Sequence, residues 1–189
     1  FESGKITVTA VNNGIRGKDS VAVIDAEIKV EAVADAIKSS NDTDEGKGYI
    51  VILGGKVEAT AGEDGIDAQT DLRISGGEVT VKTTGDVSQG GNDMGGRWAE
   101  TTAASDNDLS SKGIKSGNVT VISGGKITVN STDHCLHTGA ELYIESAELE
   151  LNSSRGKGVS SHGSLMIDSG SLTIYGTEGI ESKAILTIT

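Results

Sequence analysis

The 189-residue sequence predicts an all-β parallel β-helix, a solenoid of about seven coils with roughly 22 residues in each. Three observations predict it. The composition holds 27 glycines, no proline and only 3% aromatic residues, so an interior must be built from Val, Ile, Leu and Ala. An alternating strand follows each of Gly4, Ala26, Gly55, Gly77, Gly125, Ala147 and Gly170; from these positions the intervals are 22, 29, 22, 48, 22 and 23 residues. Each interval also carries three short apolar patterns in the same order. One such coil cannot bury its own apolar face, whereas stacked coils can.

Every repeat opens with period-two alternation, the mark of a strand with one buried and one wet face. The inward pairs are Ile6 and Val8, Ile28 and Val30, Val57 and Ala59, Val79 and Val81, Ile127 and Val129, Leu149 and Leu151, and Leu172 and Ile174. A turn follows, then a small residue with an aliphatic one: Gly14-Ile15, Ala36-Ile37, Gly65-Ile66, Gly113-Ile114, Cys135-Leu136, Gly158-Val159 and Gly179-Ile180. A further apolar pair closes the repeat, as in Val21 and Val23, Leu72 and Ile74, Leu142 and Ile144, Leu165 and Ile167, and Leu186 and Ile188. The fourth repeat departs, with Thr120 and Ile122 in these places. An antiparallel sandwich would want hairpin turns between strands and would not keep the small-aliphatic pairs in fixed phase. Stacked about 4.8 Å apart, seven coils make a rod roughly 30 Å long.

Residues 1–189 read as one domain with two insertions. The shorter spans about 39–47, and the longer, about 83–111, is rich in Gly, Asn, Asp and Ser and contains Trp98. Both leave the helix beside the strand of the small-aliphatic pair, so both are expected to rim one face. A full coil starts at Gly4 and the last stops inside a strand at Thr189, while Phe1 follows neither an initiator Met nor a signal peptide. Exposed β-helix ends are sticky edges, so neighbouring coils or domains are expected at both ends of an excised piece.

A net charge of −12 argues against a nucleic acid partner, which needs a basic face. No apolar run approaches the roughly 18–20 residues that span a bilayer, so membrane insertion is not expected. Cys135 is the sole cysteine, which excludes an internal disulfide.

Stacking places equivalent residues in columns. The residue before the small-aliphatic pair is in turn Asn13, Asp35, Asp64, Lys112, His134, Lys157 and Glu178, and the residue after it is Arg16, Lys38, Asp67, Lys115, His137, Ser160 and Glu181. Acid concentrates in the second and third coils. Asp35, Glu63, Asp64 and Asp67 offer hard oxygen ligands that suit Ca²⁺, with Asp42 and Asp44 of the short insertion as possible additions. An Asp before Gly also satisfies turn geometry through its own side chain. Three carboxylates in one turn beside a fourth on the next coil repel one another, which favours a bound cation.

His134 and His137 flank Cys135 and superficially suggest zinc, but Cys135 stands in the small-residue column, where its sulfur points inward. Trp98 is either an anchor for its loop or a platform for a sugar ring. Lys112, one coil beyond Asp64, either balances the acidic columns or, with a lowered pKa near a metal, acts as a general base.

Four stretches carry a resemblance: Asn13-Gly14-Ile15-Arg16-Gly17-Lys18-Asp19-Ser20-Val21, Ala36-Ile37-Lys38-Ser39-Ser40-Asn41-Asp42, Lys47-Gly48-Tyr49-Ile50-Val51-Ile52 and Lys112-Gly113-Ile114-Lys115. Through them the chain resembles the bacterial cell-surface carbohydrate-binding β-helix family of cellulolytic clostridia. The resemblance implies a secreted, right-handed parallel β-helix that binds calcium and plant cell-wall polysaccharide, acidic pectic glycans and cellulose included. The fold is also similar to calcium-dependent β-helix pectate lyases, in which an Asp-Asp-Gly-aromatic-Asp run binds calcium beside a catalytic lysine. Glu63-Asp64-Gly65-Ile66-Asp67 matches that run with Glu for the first Asp and Ile for the aromatic residue.

Three functions follow as expectations. The first is a calcium-dependent binding module for polygalacturonate-like glycans, with Arg16, Lys38, Lys112, Lys115 and Trp98 as glycan contacts. The second is a calcium-dependent lyase with Lys112 as base. The third is a structural rod whose calcium only rigidifies turns.

Overall fold

A computed structural model describes residues 1–85 and 110–189. The described residues form 21 strands and no helix, arranged as three seven-stranded sheets in which every pairing is parallel. Each coil contributes one strand to each sheet, and this is the seven-coil parallel β-helix that the repeats predict. The first sheet holds the long strands Lys5–Ala10, Glu27–Ala32, Lys56–Ala61, Glu78–Thr83, Lys126–Ser131, Ala147–Ser153 and Gly170–Tyr175. The middle sheet holds the three-residue strands that begin at the aliphatic member of each small-aliphatic pair, from Ile15–Gly17 to Ile180–Ser182. The closing sheet runs from Ser20–Val23 through Tyr49–Ile52, Leu72–Ile74, Thr120–Ile122 and Leu142–Ile144 to Leu165–Ile167 and Leu186–Ile188.

Register is set by the apolar columns, because a one-residue slip would turn every inward side chain to solvent. Ile28 pairs with Val57, Ile37 with Ile66, and Ile52 with Ile74, so like stacks on like down the rod. The buried hydrophobic core contains only Val, Ile, Leu, Ala and Cys135. Thr120, the departure from the aliphatic pattern, is 3% exposed and shares a 2.6 Å hydrogen bond with Ser116, whose hydroxyl also meets that of Thr138 at 3.0 Å. A short row of buried hydroxyls thus satisfies itself inside the coil.

The corner before most of the long strands takes a left-handed backbone, which glycine adopts without a Cβ penalty, while the second coil turns at Ala26 without a positive φ. Gly55, Gly77 and Gly125 sit there at φ of 78°, 87° and 91°; in the sixth coil Ser146 takes the positive φ instead, at 49°. In the last of the seven coils the apolar residues Leu186 and Ile188 are exposed.

The shorter insertion leaves after Ile37–Ser39 and rejoins at Tyr49. Buried Asn41 organises it: its Oδ1 accepts from the amides of Thr43 and Asp44 at 3.1 and 3.0 Å, and its Nδ2 donates to Asp19 at 2.7 Å. Most of the longer insertion, Trp98 included, lies outside the described residues.

Candidate functional site

The turn that enters the middle sheet carries a side chain facing the backbone of the next coil. Asn13 Oδ1 accepts from the Asp35 amide at 3.2 Å, Asp35 Oδ1 from the Asp64 amide at 3.0 Å, and Asp64 Oδ1 from the Lys112 amide at 2.8 Å. Ser110 adds its hydroxyl to Asp64 Oδ1 at 2.6 Å. One oxygen of each aspartate therefore caps the following turn. The other oxygen of Asp35 and of Asp64 turns to a lysine.

Asp67, on the outward side of Ile66–Ala68, meets those oxygens from the middle sheet. Lys38 Nζ lies 2.6 Å from both Asp35 Oδ2 and Asp67 Oδ2. Lys115 Nζ lies 3.0 Å from Asp64 Oδ2 and 3.5 Å from Asp67 Oδ1. Asp35, Asp64 and Asp67 are all buried. One oxygen from each falls within 4.8 Å of the others, and the three could hold a metal ion.

Electrostatics shows which charge is in excess. Burial, assisted by Asp67 and Asp64, raises the Asp35 carboxyl above its ordinary range despite Lys38. Burial, then Asp35 and Asp64, does the same to Glu63, which borders the group and whose carboxylate makes no hydrogen bond or ion pair with the described residues. Burial works to lower the Lys38 ammonium, but the hydrogen bonds and charges of Asp35 and Asp67 outweigh it, so its pKa is raised. Four carboxylates thus share two ammoniums. Lys38 serves as an internal cation for a site that carries surplus negative charge.

The remaining candidates lie around this group or apart from it. Lys112 lends Asp64 its amide, but its Nζ is 2.8 Å from Asp133 Oδ2 and 3.0 Å from Ser110 Oγ. Arg16 neighbours Lys38 in the outward column and donates to Ser40 Oγ from Nε and Nη2 at 3.1 and 3.0 Å. Asp44 pairs with Asn41 and with Lys47, at 3.0 and 3.2 Å, and Asp42 is exposed. Both belong to the turn toward the closing sheet, past the far end of the middle strand, and neither joins the three buried aspartates.

Ser110, Asp133 and His162 also take part, and their place in the sequence does not announce it. The pairing of Lys112 with Asp133 crosses one coil and one column, so no single alignment reveals it. His162 follows its middle strand, yet its ring reaches His137, with centroids 5.0 Å apart, while His134 lies 5.7 Å from His137 on the other side. Cys135 does point inward: it is fully buried, with Ser131 Oγ at 3.2 Å, and burial pushes its thiol up to about 11. Burial works to raise the Asp133 carboxyl as well, but the hydrogen bonds and charges of His134 and Lys112 outweigh it and hold the carboxyl well below the usual carboxylate range.

His137 makes a pH prediction. Burial first, then Lys112 and the neighbouring histidines, hold its imidazole down to about 4 from 6.5, and its buried Nδ1 has no hydrogen-bond partner among the described residues. A depressed base contributes stability that is present above its unfolded pKa and lost as pH falls through 6.5 toward 4. The shift corresponds to at most about 3 kcal/mol. Urea unfolding at pH 7 and pH 4.5 should show a smaller loss in His137→Gln than in the parent chain, and equal losses would contradict the assignment.

A family model described as carbohydrate-binding domain-containing protein matches residues 1–158. No curated protein and no solved structure matches the chain.

Proposed function

Because the chain belongs to the carbohydrate-binding domain-containing proteins, we propose that it binds acidic polysaccharide through calcium held by Asp35, Asp64 and Asp67, at the bacterial cell surface. The observation that carries this reading is the group of three buried carboxylate oxygens within 4.8 Å of one another, on adjacent coils. Aspartate oxygens are the donors calcium prefers, and three of them leave most of its six to eight places for a ligand and water. When bound, calcium would supply the positive bridge that a chain of net charge −12 needs in order to meet a uronate polymer.

The chain's own residues do the rest. A cation at the aspartate oxygens takes over the role that Lys38 and Lys115 now fill, which releases two ammoniums toward the glycan. Arg16 extends this basic column by one coil. Lys112 is held by Asp133 and Ser110, which suits a support for the turn more than a base that abstracts a proton. Polygalacturonate should therefore retard the protein in an affinity gel with calcium, and chelator should abolish the retardation. No unsaturated, ultraviolet-absorbing product should appear. A product that vanishes in Lys112→Ala would instead establish a lyase, and retardation indifferent to chelator would remove the calcium bridge.

Acid should release the ion early. Asp35 and Glu63 both have raised folded pKa values, so in the chelated protein their contribution to stability is present when they are protonated and is lost as pH rises through the folded pKa. Calcium competes with those protons. The calcium-induced rise in Tm should shrink on acidification before the ordinary carboxylate range near pH 4 is reached, whereas a constant rise between pH 7 and pH 4 would contradict it.

A further inference from the structure

The three outer faces of the rod differ in character. On the first sheet, Lys5, Glu27, Lys56, Glu78, Lys126 and Glu148 alternate in register, with Lys5–Glu27 at 2.7 Å and Lys126–Glu148 at 3.1 Å. That face is solvated and charge-paired. The middle face carries the aspartate and lysine group. The closing sheet has a largely uncharged outward column, in which Val51, Arg73, Val121 and Tyr143 follow one another in register.

An open groove of ≈ 470 Å³ lies on this face, with Tyr49, Val51 and Val121 as apolar lining and Asp71 and Arg73 as its charged groups. Its size and its mixture of apolar floor with a few polar groups fall in the range of small-ligand sites. The polar groups are also placed for use. Asp71 Oδ1 accepts from Asn118 Nδ2 at 2.7 Å and from the Val119 amide at 3.1 Å, which fixes the carboxylate and leaves its second oxygen without a partner among the described residues. Arg73 is exposed and makes no ion pair or hydrogen bond with the described residues. On the next strand beyond the groove, Tyr143 is anchored through its hydroxyl to Glu141 at 2.6 Å.

We infer that this groove on the closing sheet is a second, calcium-independent glycan site, and that its occupant is a neutral polysaccharide chain. A pyranose ring offers an apolar C–H face and a rim of hydroxyls. Tyr49, Val51 and Val121 match the face, while Asp71 and Arg73, one acceptor and one donor, match the rim. The charge favours a neutral glycan over a uronate: Asp71 and Glu141 outnumber Arg73, and no candidate cation site adjoins them among the described residues. Tyr49 stands on the strand beside that of Asp71 and Arg73, so its ring and the two charged groups border the same groove. The inference rests on the family's carbohydrate binding and is independent of the metal.

The test is affinity electrophoresis of the full chain in gels containing a soluble mixed-linkage glucan, xyloglucan or galactomannan, with chelator throughout. At least one of these polymers should retard the parent chain. Tyr49→Ala and Arg73→Gln should each weaken that retardation about tenfold or more, the size expected when a central contact of a binding face is removed, with far-UV circular dichroism unchanged. The same variants should keep calcium-dependent retardation in polygalacturonate. Failure of all three neutral polymers to retard the parent chain would overturn the inference, as would retardation that survives both substitutions. Neither outcome bears on the calcium-dependent site, which fails only if polygalacturonate binding is absent with calcium present.

Discussion

Asp67→Asn should weaken calcium-dependent binding of polygalacturonate about a hundredfold, because it removes one of three charged oxygen ligands without changing the shape of the turn. Asp67 is the sharpest probe of the three aspartates. Asp35 and Asp64 each spend one oxygen on the amide of the next coil, so their replacement disturbs the stacking as well as the cation. Both oxygens of Asp67 face lysines only. Without calcium, the substitution leaves Lys38 with Asp35 and Lys115 with Asp64, each one carboxylate short. Both lysines keep a quarter or more of their side-chain surface in solvent, so the loss of stability should be modest, about 1–2 kcal/mol. Calcium titration followed by Tm separates the two effects: the parent chain should gain stability on adding calcium, and Asp67→Asn should gain almost none. An equal gain in both would place the ion elsewhere.

The largest effect on folding should come from Gly65→Ala, in the turn beside this site. A Cβ at Gly65 would stand 2.1 Å from Val81 Cγ1 and 2.6 Å from the Gly113 carbonyl oxygen. Overpacking of this kind costs about 2–3 kcal/mol. The second coil has already solved the same problem, since Ala36 occupies the equivalent place and the long-strand column reads Val30, Ala59, Val81. There the turn residue gains a methyl and the strand residue of the next coil is alanine. Val81→Ala alone should cost about 2 kcal/mol through the cavity it leaves. Combined, the two substitutions should cost less than their sum by at least about 1 kcal/mol. Urea unfolding of the four proteins measures that coupling, and strictly additive costs would contradict complementary packing.

These two sites also mark how far the sequence could be read. The coils were legible because inward positions recur by type and by phase, and a solenoid repeats one local packing problem. Gly-Ile at residues 65–66 and Ala-Ile at 36–37 announce the same corner, and the stacked columns identify Asp35, Asp64 and Asp67 as neighbours. The partition of their oxygens was not legible. It depends on which way each carboxylate turns, and the amide of the next coil decides that. Nor did the columns reveal that Lys38 and Lys115 fold back among the acids, since an outward lysine reads equally as a glycan contact. Asp42 and Asp44 enter the candidate ligands only by lying on the short insertion; Asn41 instead holds Asp44 against Asp19 and Lys47 at the other end of the strand. The groove of the closing sheet escaped the sequence for a different reason. Tyr49 precedes its strand's first inward residue, whereas Arg73 lies between an inward pair, so the groove draws on two neighbouring columns and no single one announces it.

The most direct measurement is isothermal titration of a polygalacturonate oligomer into the chain, once with calcium and once with chelator. Binding with calcium, its loss with chelator and its loss in Asp67→Asn are the expected results. Heat of binding that persists in chelator, or that Asp67→Asn leaves unchanged, would show that Asp35, Asp64 and Asp67 form a structural turn and not the site.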